Sequence, residues 1–288
     1  MRVATKTMYD LIKFNLAHIT DDLNQANKVV ATGKRINDLS DDPVGLANAL
    51  EIRSNIANIE QVGRNINMGK SWLQASEGAL NNAQNMLGDT RALCVEMATA
   101  TKSPADRDAA ALTVQNVKDE IIALANTQVS GSYIFAGTNI EMLAFEADGT
   151  YNGNSSPFAI KTANDSVMQV GADGGAIFSN ILTSLDDLIS RLQTNDVDGI
   201  RASITSMEGH YSDLSASISA IGSKENRMEI KENILRELTI SNTEQLSRIE
   251  DADIAEAIMN LKSVEVAYQA ALASSSSIME LSLMDYLK

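Results

Sequence analysis

The chain has 288 residues, 44% of them apolar but only 4% aromatic, and a formal charge of -15. That is enough apolar material for a core, but one built from Ala, Leu, Ile and small polar residues, and three prolines leave room for long uninterrupted helices. The acidic balance argues against nucleic acid or an anionic membrane surface as a partner. No apolar run nears the ~20 residues that cross a bilayer, so membrane insertion is not expected.

In chain order, a first helix is expected from about Thr5 to Lys34. Ile12, Leu16, Ile19, Leu23, Ala26, Val30 and Gly33 recur along it at steps of four and three, which places them on one coiled-coil seam. The stretch from Asn37 to Asp42 breaks it. Asp42 before Pro43 has the form of an N-cap followed by proline at the first helical position. The next helix is expected from Pro43 toward Ala100. Its buried stripe is read as Leu46, Leu50, Ile56, Ile59, Ile66, Leu73, Leu80, Leu87 and Met97, and Gly63, Gly69, Gly78 and Gly88 argue against its continuity. Ser103-Pro104 opens a third helix, with Leu112, Val114, Val117, Ile121, Ile122 and Leu124 inside.

From Ser130 the texture changes. Tyr133-Ile134-Phe135 reads as a short strand, and Asp148-Gly149 as the type I′ turn of a hairpin between 145–147 and 150–151. Phe158-Ala159-Ile160 and 167–170 are further strands. Helical pattern returns near Ile177, pauses at 195–199, and runs from Ile200 to about Leu246. A helix of that length would span roughly 70 Å. A final seam follows in Ile254, Ala257, Leu261, Val264, Tyr268, Ala271, Ser275 and Ile278, with Leu272 beside it. Two terminal seams thus bracket a middle that lacks one. The fold class is mainly α, an elongated antiparallel helical bundle with terminal coiled-coil arms and a small β-rich insertion. Its expected division is 1–42 with 249–288 as a terminal helical assembly domain, 43–135 with 178–248 as the bundle, and 136–177 as a β-rich outer domain.

Charge is unevenly placed. Residues 1–36 hold six basic side chains against three acidic ones, and 249–288 hold seven acidic against two basic. Opposite arms favour side-by-side pairing of the termini, although an exposed ion pair contributes only ~0–1 kcal/mol. Residues that could carry chemistry are sparse. His18 and His210 are far apart and have no nearby cysteine, so no metal is expected. Cys94, the single cysteine, sits among Leu93, Val95 and Met97 as a buried thiol. Glu146, Asp148, Asn152 and Asn154 miss the spacing of a calcium loop. Glu250, Asp251 and Asp253 suit favourable charge at a helix start. The chain is not expected to be an enzyme or to hold a cofactor. Lys6, Asp10, Lys13 and Asn15 interrupt any apolar run at the N-terminus, so export would use a route without a cleaved signal peptide.

Three motifs add a resemblance. Ser247-Arg248-Ile249-Glu250-Asp251-Ala252-Asp253-Ile254-Ala255 resembles the S-x-I-x-D-x-D-x-A segment of bacterial flagellins, with Asp251 and Asp253 at its acidic positions. Gly222-Ser223-Lys224-Glu225-Asn226-Arg227-Met228-Glu229 resembles their G-A-x-x-N-R-L-E element through Asn226 and Arg227. Gly33-Lys34-Arg35-Ile36-Asn37, followed by Asp41-Asp42-Pro43-Val44-Gly45, resembles G-x-R-I-N…D-D-P-A-G. Within that superfamily three features are similar to the hook–filament junction branch, the hook-associated protein 3 family. They are the opening Met1-Arg2-Val3, the pair Gly131-Ser132-Tyr133-Ile134-Phe135-Ala136-Gly137-Thr138 and Tyr151-Asn152-Gly153-Asn154, and the segment Leu281-Ser282-Leu283-Met284-Asp285-Tyr286-Leu287.

The resemblance implies a structural subunit, extracellular at the hook–filament junction, exported through the flagellar type III pathway. Its implied partners are copies of itself in a ring, the neighbouring first hook-associated protein and flagellin, and an export chaperone on the C-terminal region. The assembly interface would be Ile12, Leu16, Ile19, Leu23, Ile254, Leu261, Val264, Tyr268, Leu272 and Ile278. A short flagellin that forms the filament itself is the alternative. A hydrolytic enzyme built on the β insertion is set aside, because that segment lacks a histidine or a suitable glutamate pair.

Overall fold

Six α-helices and four short strands make up the computed structural model, which describes the backbone of residues 2–163 and 166–286 and the side chains of 6–163 and 166–277. The helices are α1 (Arg2–Thr32), α2 (Pro43–Met97), α3 (Pro104–Ala125), α4 (Gly174–Gln193), α5 (Val197–Glu250) and α6 (Ile254–Tyr286). Strands β1 (Gln128–Val129) and β2 (Ser132–Tyr133) form one antiparallel pair, and β3 (Ala159–Ala163) and β4 (Ser166–Gln169) another. The fold is mainly α, as the sequence pattern indicates. The chain divides into one unit of residues 1–58 and 238–288 and a second of 59–237.

In the second unit, the order of α2 comes from spacing. Val62, Ile66, Gly69, Leu73, Ser76, Leu80, Ala83, Leu87, Thr90, Cys94 and Met97 are all buried, at alternating steps of four and three. One column is large (Ile66, Leu73, Leu80, Leu87) and the other small (Gly69, Ser76, Ala83, Thr90), so a partner backbone can approach closely. On α5, Ile200, Met207, Leu214, Ile221 and Met228 recur every seven residues and are buried. Lys70 with Glu232 at 2.8 Å, the Gln84 amide with the Tyr211 carbonyl at 3.2 Å, and Arg91 Nε with Glu208 at 2.9 Å show the two helices running antiparallel. The middle therefore carries a seam as regular as those of the termini, contrary to expectation. Half its positions are small or polar, and a search for apolar residues passes over them. The hydroxyls of Ser76 and Thr90 donate to their own helix, at Trp72 O and Met86 O, which lets them be buried.

Nor do the glycines interrupt α2. Gly63, Gly78 and Gly88 have no neighbouring atom within 4 Å of a built Cβ, whereas at Gly69 a Cβ would run into Ile160 and Met228. Gly69 is the notch in which β3 seats Ile160, beside Trp72 stacked on Phe158 with ring centroids 4.8 Å apart. Two leucines depart from the expected stripes. Leu50 is 55% and Leu112 69% exposed, and the adjacent Ala49 and Ala111 are buried instead.

Helix α3 begins at a reciprocal capping box between Ser103 and Asp106, with Pro104 in the first turn. It packs on α4, whose buried face is Phe178, Ile181, Leu182, Leu185, Leu188 and Leu192. Asp173 caps α4 through the Ala176 N–H, and Asp196 caps α5 through the Gly199 N–H at 3.0 Å. Asn195, at φ +60°, makes the reversal between them. Arg107, 3% exposed, donates to Met97 O at 3.0 Å, to Thr99 O at 2.9 Å and to the Asn195 side chain.

The segment between α3 and α4 holds the turns. The type I′ conformation falls at Ser130 (φ +53°) and Gly131 (φ +82°), between β1 and β2. At the expected site only Gly149 has positive φ. Its N–H bonds Glu146 O and the Glu146 N–H bonds Thr150 O, both at 3.0 Å, so this is a three-residue loop closed by glycine. Of the expected strand 133–135 only Tyr133 lies in a strand, and Ile134 and Phe135 are fully buried. Tyr151 gathers this region. Its hydroxyl lies 3.1 Å from Phe135 O and 3.0 Å from Asn154 O, and burial pushes its phenol up to about 12. Asn126 holds Phe145 through both the amide nitrogen and the amide oxygen.

Gly78→Ala should raise stability by ~0.5–1 kcal/mol, since the added methyl meets open space and the helix gains propensity. Leu80→Ala, on the large column, should cost ~2–5 kcal/mol. Denaturant unfolding followed through Trp72 fluorescence measures both, and a destabilising Gly78→Ala would mean that the glycine serves a bend.

Candidate assembly site in the terminal unit

Helices α1 and α6 pack on each other. The end of α1 lies beside the start of α6, where Lys34 and Asp251 form an antiparallel bridge, so the pair runs antiparallel. The rows expected from spacing face inward. Ala26 is fully buried and Ile12, Leu16, Ile19, Leu23 and Val30 half-buried on α1, and Ala257, Leu261, Val264, Tyr268, Ala271 and Ser275 are half-buried on α6. Ile254 and Leu272 remain exposed, and the Ile278 side chain falls outside the described residues.

Each helix carries a second apolar row. Met8, Leu11 and Phe14 on α1, and Ile258, Met259 and Val266 on α6, are exposed, Phe14 to 64% and Met259 to 67%. A two-helix pair can bury only one face of each member, and a soluble surface seldom leaves so much apolar area open without a partner. The opposite charges of the two arms meet at the linkers, where Lys34 pairs with Glu250 at 2.8 Å, and not along the helices. Among the described residues no ion pair links α1 to α6, and Lys262 pairs with Glu265 on its own helix at 2.7 Å. The pair is held by apolar contact, and its charges face outward.

The linkers are tightly determined. Gly33, at φ +68°, ends α1 with its N–H on Val29 O at 2.9 Å, the left-handed cap that glycine adopts without strain. Asp41 then accepts from the Asn37 and Asp38 N–H groups, both at 2.9 Å, and these bonds hold its carboxyl below the usual range. Asn37 donates to Lys34 O at 2.7 Å. Asp42 accepts from the Gly45 N–H at 2.8 Å, and Pro43 is the first residue of α2. The second linker lies alongside: the Arg35 N–H bonds Glu250 O at 2.6 Å, the Ala252 N–H bonds Gly33 O at 2.9 Å, and the Arg35 guanidinium reaches Ile249 O at 3.0 Å. Asp253 caps α6 through the Ala255 and Glu256 N–H groups at 2.9 and 3.2 Å. Asp251 accepts from the Ser247 hydroxyl. Of the family-motif residues, Arg35, Asn37, Asp41, Asp42, Pro43, Asp251 and Asp253 thus build the linkers. Asn226 and Arg227 lie exposed on α5 in the other unit.

Glu250 departs from its expected part as helix-start charge. It is the last residue of α5, its side chain is 3% exposed, and it accepts from Lys34 at 2.8 Å and Arg53 at 2.6 Å. Burial pushes its carboxyl up, but the two cations outweigh burial and hold it below 4.5. Its Oε1 is buried without a hydrogen-bond partner. The pairing of Glu250 with Arg53 spans 197 positions and leaves no local signal in the sequence.

The residues weighed for chemistry are placed otherwise. His18 sits edge-on to Phe14 at 5.8 Å. In the second unit, His210 contacts the Ser184 hydroxyl at 2.8 Å and burial pushes its pKa down. Cys94 is buried, and its thiol is pushed up to about 11. Among the described residues no cluster of His, Cys, Asp and Glu could hold a metal ion, and no helix is long and apolar enough to cross a membrane.

Residues 3–140 match the family described as the bacterial flagellin N-terminal helical region, and 204–287 match the bacterial flagellin C-terminal helical region. Flagellar hook-associated protein 3 of Salmonella typhimurium is 26% identical over 186 residues, which cover 64% of this chain and 59% of that protein. The chain thus spans little more than half the length of that relative. Flagellar hook-associated protein 3 of Escherichia coli is 22% identical over 94% of this chain and 96% of its own length. A solved putative flagellar hook-associated protein from Vibrio parahaemolyticus shares the fold, with a TM-score of 0.68 at 20% identity over 73% of this chain and 100% of that one.

Glu250→Gln should cost ~1–3 kcal/mol at pH 7 by weakening two charged hydrogen bonds. Because the folded value lies below the ordinary glutamate value, the ionised group stabilises the fold above that ordinary value and loses its contribution as pH falls through the folded value. Unfolding free energies of parent and variant should converge under acid. A gap that stays constant from pH 7 down to pH 3 would sink this assignment.

Proposed function

We propose that this chain, which belongs to the bacterial flagellin family, is a structural subunit of the flagellum that joins the hook to the filament. The observation that carries this reading is the second apolar row on α1 and α6, exposed in the free chain although the inner rows are already paired. The near end-to-end alignment with a hook-associated protein 3 supports the junction over other members of the family. In this reading the inner residues Ile12, Leu16, Ile19, Leu23, Leu261, Val264 and Tyr268 fix the helix pair. The outer rows, with Ile254 and Leu272, meet neighbouring copies in a ring. The flanking partners are the first hook-associated protein on one side and flagellin on the other. Before assembly an export chaperone covers the C-terminal helix, and the chain leaves the cell through the flagellar type III route without a cleaved signal peptide. Residues 136–177 form an outer module. The role asks no catalytic chemistry of His18, His210 or Cys94.

The second reading is a short flagellin, which the flagellin family match itself favours because filament subunits share the same terminal regions. Copy number separates the two. Antibody labelling of isolated hook–basal bodies should mark a narrow band at the distal end of the hook, and sheared filaments should hold this chain only as a minor component. Labelling along the filament would establish the second reading instead.

Phe14→Asp and Val266→Asp should leave the free chain folded, because both side chains are exposed there. In the assembly each would bury an unpaired carboxylate, which is costly. Circular dichroism should be unchanged while filaments are shed into the medium. Normal filaments on Val266→Asp cells would show that the outer row is not an interface.

A further inference from the structure

Asn226 and Arg227 are the two motif residues that the linkers do not use. Both stand on α5 in the second unit, both are exposed, and among the described residues neither side chain makes a hydrogen bond or an ion pair. A charge beside Arg227 is a like one: Lys224, one turn back and half-buried, has its pKa pushed down by burial and pushed down further by Arg227. The same side of α5 turns apolar just beyond. Steps of three and four lead from Arg227 to Ile230 and Ile234, which are 60% and 50% exposed. Lys231 donates to the Ser166 hydroxyl at 3.4 Å, which lays β4 alongside, and the next residue there, Val167, is 68% exposed. An arginine without a counter-ion, framed by open branched aliphatic side chains, has the composition of an interface centre and not of a solvated helix face.

A face of opposite character lies on α3. Asp108, Leu112, Asn116 and Asp119 follow at steps of four and three, with Glu120 beside them, and all are exposed. Leu112, at 69%, is the most open large apolar side chain described in the second unit. Asp119 accepts from Gln115 of its own helix at 2.9 Å, and among the described residues no cation pairs with Asp108, Asp119 or Glu120. Charge then selects the partner. Two copies that each carry -15 repel one another except where a cation of one meets anions of the other. The α5 face supplies the cation and a bed of aliphatic side chains, and the α3 face supplies the anions and one apolar knob.

We propose that the α5 face at Asn226, Arg227, Ile230 and Ile234 docks on the α3 face at Asp108, Leu112 and Asp119 of a second copy of this chain. Such a contact is heterologous. Each copy offers α5 to one neighbour and α3 to the other, which generates a ring or a helical row and not a closed pair. The contact rests on the structural-subunit reading only in that copies adjoin, and it is the same whether they adjoin at the hook or along the filament.

The test uses the full-length chain in motile cells and in flagella isolated from them. With Cys94→Ala as parent, Ile230→Cys combined with Leu112→Cys and treated with a short bis-maleimide should give dimers and longer oligomers of this chain, while either new cysteine alone gives none. Arg227→Glu, and separately Asp108→Lys with Asp119→Lys, should lower the fraction of cells that keep their filaments about tenfold, and the three changes together should restore it. The free variants should unfold like the parent by Trp72 fluorescence, since these positions are exposed. Dimers from Ile230→Cys alone, cross-links to a different protein, or no cross-link at all overturn the contact between α5 and α3. So do filaments kept normally by both charge variants, or a combined variant that is no better than either. Antibody location is read separately: label along the filament would remove the junction reading and leave the cross-link in place.

Discussion

Close approach of helices through small side chains is the constraint on which the second unit depends. Gly69, Ser76, Ala83 and Thr90 form one of the two buried columns of α2, and none of them could be large without pushing its neighbour away. This explains how a chain with so few rings builds a core. Ile66, Leu73, Leu80 and Leu87 supply the volume, and the small column supplies the proximity. Aromatic rings concentrate where irregular segments dock on helices. Trp72 meets Phe158 beneath the β3–β4 pair, and Phe135 stands edge-on to Phe178 at 5.0 Å where the turn region meets α4.

The terminal unit works under the opposite condition. Two helices with apolar residues on more than one face have too little partner surface to bury them all, so the inner rows are only half covered and the outer rows open. Its definition comes instead from polar contacts in the linkers, where Asp41, Asp42, Asn37 and Gly33 each satisfy particular backbone groups. Packing is left unfinished along the helices and geometry is set at their ends. That division suits a segment whose core is completed by other molecules.

How much of this was legible follows from what pattern reading can register. The seams of α1 and α6 were readable because most of their inner residues are apolar and recur at three and four. The seam of α2 was half hidden, since a glycine, a serine and a threonine in a buried column look like interruptions. Leu50 and Leu112 show the converse: a pattern of apolar residues favours the larger side chain, whereas the alanine beside it fits the closer contact. Asp148-Gly149 has the composition of a two-residue turn, but the adopted loop is longer by one residue, and only backbone angles reveal it. Glu250 was invisible as an anchor because its partners lie 216 and 197 positions away and an acidic run surrounds it.

Asn195 answers two demands at once. Its backbone at φ +60° reverses the chain between α4 and α5, and its side-chain oxygen receives Arg107, which also grips the carbonyls of Met97 and Thr99. The carbonyl acceptors are supplied by any residue, so this contact selects no side chain at those positions. At position 195 a side chain is selected. Glycine would keep the left-handed turn and lose the acceptor, glutamine would keep an acceptor on a stem too long for the place, and a β-branched residue would keep neither. Asparagine and aspartate alone meet both conditions, and lysine cannot replace the planar fork of Arg107. The reversal between α4 and α5 therefore restricts the evolutionary alphabet at position 195 through one backbone angle and one acceptor oxygen.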